Sequence, residues 1–127
     1  YSDDWHVAHL ESPRALVPGS VMPGYAFLSE NRLQTGHLPA ALKALSRAGV
    51  PYTEAQIENA EKDAVWQADF EQNYEGELQE SYGANVQVRD FDGQPGRLTE
   101  MDALVAYLQM LGTLVDFDSL NPEEVNR

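Results

Sequence analysis

The sequence predicts a mainly α-helical domain of four or so helices joined by long Pro/Gly-rich loops. Helix-capping residues stand ahead of apolar patterns at Ser2, Thr53 and Thr99. In the last third, Met101, Leu104, Val105, Leu108, Leu111 and Val115 recur at three- and four-residue spacing. Alternation with a period of two, the mark of a strand, is confined to Val86 and Val88.

Taken in order, the first helix is expected over 3–11. Ser2 caps it, Asp3 and Asp4 lie in its first turn where the helix dipole favours acids, and Pro13 ends it. Three prolines and two glycines between Ser12 and Gly24 exclude regular structure there. The stretch "YAFLSENRLQTG" reads as a short helical turn or an extended segment. A second helix opens with Pro39 at its first position, turns Leu42 and Leu45 inward and closes at Gly49.

Thr53 and Gln56 form a capping box for a third helix whose first apolar face is Ile57, Ala60 and Ala64. Beyond it Trp66, Phe70, Tyr74, Leu78 and Tyr82 recur every four residues. On one continuous helix that row drifts by about 40° per step, about 160° in all. The helix therefore either breaks near Gly76 or wraps its aromatic row across several neighbours. Residues 83–97 read as an exposed loop turning at Asp92-Gly93 and Pro95-Gly96. Thr99 caps the final helix, and the acidic tail from Asp116 is expected to fray, with Phe117 tucked back.

A chain of 127 residues with 43% hydrophobic content can bury one core, so residues 1–127 are read as a single domain. Its 21 acids against 8 bases give a net charge of −13, which disfavours nucleic acid and anionic lipid. Residues 1–52 are neutral, whereas 53–82 carry nine acids against Lys62 alone. With no cysteine there is no disulfide, thiolate metal site, cysteine nucleophile or C-x-x-C-H haem attachment. No signal peptide opens the chain, and "ALVAYLQMLGTLV" is too short and amphipathic to span a bilayer. A start at "YSDDWH" suggests a processed or excised piece.

His6 and His9 lie one turn apart, yet His37 alone cannot complete a four-ligand zinc site, so they read as partly exposed helix histidines. Ser20 lacks the nucleophile elbow of a hydrolase. The carboxylates of 54–80 read as a solvated face. Met22 stands apart, on a loop between Pro18-Gly19 and Pro23-Gly24. Its side chain either plugs an apolar gap or presents a soft thioether ligand suited to haem iron, with Pro18, Pro23, Tyr25 and Phe27 as stiffening and apolar cover.

Three stretches, "YSDDWHVAHLESPRALVPGSVMPGYAFL", "LKALSRAGVPYTEAQIENA" and "TEMDALVAYLQMLGTLVDF", taken in this order, resemble the mono-haem cytochrome c subunit, subunit II, of cbb-three-type cytochrome c oxidases. Residues 63–97 carry the least of this resemblance. The resemblance implies an incomplete cytochrome c-like domain in which Met22 is the sixth ligand of a c-type haem, and Pro23 and Tyr25 support it. Arg14 would be a haem-propionate or interface partner. The histidine ligand and attachment cysteines would lie upstream, so no haem is expected to attach covalently to this fragment. The implied role is electron transfer from a tri-haem subunit or soluble cytochrome to the oxygen-reducing subunit, on the periplasmic side of the bacterial inner membrane, with membrane contact only through an anchor outside this sequence. The last helix would normally pack on the haem-bearing one, so the fragment is expected to repack through Trp66 and Phe70 or to self-associate. The rival reading is a haem-free acidic helical domain docking a basic protein through 54–80.

Overall fold

A computed structural model describes residues 1–73 and 75–114. Among them are seven α-helices and one 3-10 turn, with no strand. The mainly α expectation holds. In chain order the helices are α1 (Asp3–Glu11), α2 (Pro13–Leu16), α3 (Leu38–Arg47), α4 (Glu54–Glu58), α5 (Ala60–Gln67), α6 (Glu77–Tyr82) and α7 (Glu100–Thr113). The 3-10 turn, Ala26–Ser29, lies between α2 and α3.

The local signals act where the sequence places them. Ser2 accepts a hydrogen bond from the Trp5 N–H and starts α1, with Asp3 and Asp4 in its first turn. Thr53 and Gln56 close a capping box on α4, and Thr99 and Asp102 close another on α7. α3 begins one residue earlier than expected, at Leu38, and is followed by Gly49 with φ +106.

Two groups of helices result. α1, α2, the 3-10 turn and α7 pack together, and α3, α4, α5 and α6 form a second cluster. The main core belongs to the first group, where Leu10, Phe91, Met101 and Val105 are buried together. The groups are joined by the pairing of Arg32 with Thr99, by the Leu33 N–H on the Leu98 carbonyl and by the Arg89 N–H on the Gln67 carbonyl. An ion pair between Arg89 and Asp3 adds to these links, and the Gln109 amide also donates to Asp3. The guanidinium beside it holds the Asp3 carboxyl below the usual carboxylate range.

The structure corrects two expectations. The helix carrying Trp66 stops at Gln67, well before Gly76. Past it the Asp69 carboxylate accepts the Glu71 N–H, and the buried Asn73 side chain accepts the N–H of Leu78 and starts α6. These side-chain bonds offer the backbone turns in place of a continuing helix. The aromatic row therefore never shares one helix, and Tyr74 lies outside the described residues. Residues 83–97 are not an exposed loop either, because Phe91 is 2% exposed in the main core.

Phe91 is flanked by a polar network. The Asp102 carboxylate accepts the N–H groups of Thr99 and Asp92, and Thr99 donates its hydroxyl to Asp92. Asp90, Asp92 and Asp102 bring carboxylate oxygens within 4.8 Å of one another. Burial pushes the Asp102 carboxyl up to about 6, against the pull of the backbone N–H groups. Its folded-state affinity for a proton therefore exceeds that of the unfolded chain. The resulting stabilisation is full below about pH 4 and is lost as pH rises through about 6. Urea unfolding is expected to show stability falling between pH 4 and 7, by up to about 3 kcal/mol from this group. Asp102→Asn should flatten that slope; an unchanged slope would place the titration elsewhere.

Candidate functional site

Met22 is carried by the loop between α2 and the 3-10 turn, and the loop is fastened at both ends. On the near side the Val17 N–H bonds the Pro13 carbonyl at 2.9 Å, and the Ser20 N–H bonds the Val17 carbonyl at 2.9 Å. Arg14 Nε donates to the Ser20 carbonyl at 3.1 Å, while Ser20 Oγ accepts the Met22 N–H at 3.2 Å. On the far side the Tyr25 N–H reaches the Leu10 carbonyl of α1 at 2.7 Å. The prolines fix φ at two points between these ties.

Gly24 explains how close the loop comes to α1. A Cβ at this position would lie 2.9 Å from the Glu11 carbonyl oxygen, a backbone atom that cannot swing aside. Gly24→Ala is expected to cost about 1–3 kcal/mol, as forced overpacking does, and to displace the loop. Denaturant melts measure the first effect.

The Met22 side chain is half-buried rather than enclosed. It packs on the core of Leu10, Phe91, Met101 and Val105, as do Val7 of α1, Leu28 of the 3-10 turn, and Leu104 and Leu108 of α7, all likewise partly buried. Residues of three elements, with the Met22 thioether among them, thus give this core a partly exposed apolar face. Such a face suits a large flat apolar group with a soft metal at its centre, because the surrounding residues offer carbon surface and the sulfur a soft donor.

The other expected site residues are placed around this point. Tyr25 is partly buried, with its ring edge-on to Phe27 at 6.0 Å, and Pro23 is exposed on the loop. Arg14 is exposed on α2, and its resolved hydrogen bond is the one to Ser20. His6 and His9 both pack against the Trp5 ring, with His9 stacked at 4.6 Å, and burial lowers the proton affinity of His6. Among the described residues neither histidine joins a group of potential metal ligands. From sequence Ser20 was weighed only as a nucleophile and Gly24 only as a turn former, so their parts in holding the loop were missed. The two-residue spacing of Ser20 and Met22 was the available signal for the hydroxyl cap.

The model of the family described as cytochrome C oxidase, mono-heme subunit/FixO, matches residues 1–115. The chain belongs to this family. No curated protein matches it. FixO is subunit II of the cbb-three-type cytochrome c oxidase, an electron-transport protein with haem c. The FixO match runs through residues 63–97, the part whose sequence resembles the family least. Subunits of this oxidase are membrane-associated, and no helix among the described residues of this FixO chain is long and apolar enough to cross a membrane.

Proposed function

We propose that this chain supplies the methionine side of the haem pocket of a FixO electron-transfer domain, with Met22 as the axial sulfur ligand. The single observation that carries the reading is that the partly exposed Met22 packs on the same core as Val7, Leu28, Leu104 and Leu108. The haem, when bound, supplies the one-electron couple. The protein's task is to hold the sulfur at a fixed position, to keep water from it with α1 and α7, and to raise the potential, since Met/His ligation favours the reduced state. Pro23 and Tyr25 stiffen the ligand loop. With no cysteine among the 127 residues, covalent attachment and the histidine ligand belong to polypeptide outside them. Residues 1–127 act as one domain on the periplasmic side, receiving electrons from a tri-haem subunit or soluble cytochrome and passing them to the oxygen-reducing subunit.

The outer face of α7 bears on assembly. Tyr107, Met110, Leu111 and Leu114 are exposed on it, and Phe70, 64% exposed, is not folded over it. Of the two residues expected to repack over the apolar face, Phe70 is thus turned outward, while Trp66 is partly buried. This face is where the haem-bearing segment, or a second copy of the fragment, would pack. Light scattering should show the 127-residue chain self-associating, and the longer chain should not.

The functional test is expression of a polypeptide extended upstream to include C-x-x-C-H, under cytochrome maturation. A low-spin haem spectrum that changes in Met22→Ala supports the reading. A haem-loaded protein indifferent to that substitution makes Met22 a packing residue. Failure to take up haem, together with salt-sensitive capture of a basic protein, would favour the acidic docking domain.

A further inference from the structure

We infer that Arg14 is the positioning residue of the ligand loop: its guanidinium clamps the Ser20 carbonyl so that the Met22 sulfur is held toward the iron. The inference rests on the reading of Met22 as haem ligand. Its evidence is the way the loop is attached. Among the described residues nothing covers the loop from outside, since Val21 is 95% exposed and Pro18, Gly19 and Pro23 are exposed too. Nor is the loop packed tightly along its whole length. The loop meets α1 closely at Gly24, but before that point it runs beside an open cavity of about 310 Å³ lined by Glu11, Pro13, Arg14 and Met22 among others.

Between Ser20 and Pro23 the side chain that packs on the core is that of Met22, and the backbone on either side is held by hydrogen bonds and, at Gly24, by close approach to Glu11. Downstream, three residues past the ligand, the Tyr25 N–H is tied to the Leu10 carbonyl. Upstream, two residues before it, Ser20 is the hub: its N–H bonds Val17, its hydroxyl accepts the Met22 N–H, and its carbonyl takes Arg14 Nε. The Met22 bond lies within the loop and moves with it, whereas the Val17 bond reaches the C-cap of α2, whose own N–H is tied to the Pro13 carbonyl. Among the described residues, the Arg14 bond is the side-chain tie from α2 to Ser20, beside the backbone tie through the Val17 C-cap, and Pro13 next to Arg14 is buried. Without it the upstream end of the ligand segment would be held by the Ser20–Val17 backbone bond alone. A charged donor makes this bond stronger than a neutral one, although exposure reduces the gain.

The test uses the haem-loaded full-length subunit in its ferric form, titrated with imidazole, which takes the sixth position only when the sulfur leaves. Arg14→Ala is expected to raise the apparent imidazole affinity about tenfold, the scale of one charge-assisted hydrogen bond discounted for exposure. The sulfur-to-iron charge-transfer band should weaken at lower pH or temperature than in the parent, with urea stability unchanged. Arg14→Lys should behave like Ala, because a lysine ammonium does not reproduce the Nε geometry. Wild-type titrations in both variants would overturn the clamp. A wild-type titration in Arg14→Lys alone would also overturn it, in favour of a charge acting on the haem propionates. Met22→Ala separates the two levels. If imidazole binding and the spectrum are the same with and without Met22, the ligand reading itself fails, whatever Arg14 does.

Discussion

Met22→Ala in the haem-loaded subunit is expected to lower the reduction potential by on the order of a hundred millivolts or more, a fraction of the roughly 0.8 V range that axial ligands span. It should also abolish the sulfur-to-iron charge-transfer band. The cause is local. A thioether favours the ferrous state, and water entering the vacated position favours the ferric one. Met22 is itself only partly buried, so shortening its side chain opens the position to water. Packing on Leu10 and Met101 is lost as well, but Met22 is not enclosed. The stability loss should therefore fall below the 2–5 kcal/mol typical of a fully buried methionine, roughly half of it. Redox titration and urea melts on the same sample separate the two effects. A large stability loss with an unchanged potential would make Met22 a core residue.

Phe91→Ala is expected to have the largest effect on stability, about 3–5 kcal/mol. Its ring is 2% exposed, contacts the core formed by Leu10, Met101 and Val105, and carries the Arg89 guanidinium 4.7 Å from its centroid. Removing it opens a cavity under α7 and frees Arg89, the partner of Asp3 on α1. Because a domain of this size is stable by only about 5–15 kcal/mol, the variant should be close to unfolding at 37 °C. Chemical denaturation measures this directly; a cost below about 1 kcal/mol would show that the 83–97 segment is dispensable to the core.

These two residues also mark what was legible in the sequence. Met22 was visible because two Pro-Gly pairs exclude every regular element around it, leaving a lone thioether on a stiff loop. Phe91 was not. It stands between Asp90 and Asp92 and next to Gly93, and a short polar, turn-rich stretch gives no period from which burial can be inferred. Capping is decided within four residues, so Ser2, Thr53 and Thr99 announced α1, α4 and α7 correctly. The end of α5 was misplaced for the opposite reason. The four-residue spacing of Trp66, Phe70 and Leu78 persists past Gln67, while the Asp69 and Asn73 side chains turn the backbone out of the helix. Val115 and Phe117 lie outside the described residues. The loop's grip was invisible too, because the Arg14–Ser20 and Tyr25–Leu10 bonds depend on how α1 and α2 are placed.

The assignment of the sulfur is tested most directly by methyl NMR of the ferrous, haem-loaded subunit with labelled methionines. The chain has three, and their surroundings differ: Met101 is fully buried in the core, Met110 is 42% exposed on α7, and Met22 stands at the edge of the apolar face. A methyl held over an iron porphyrin is shifted far upfield by the ring current. The account predicts one such resonance from these three residues, and its loss in Met22→Leu. An upfield methyl that survives that substitution, or one that disappears instead in Met110→Leu, would contradict it.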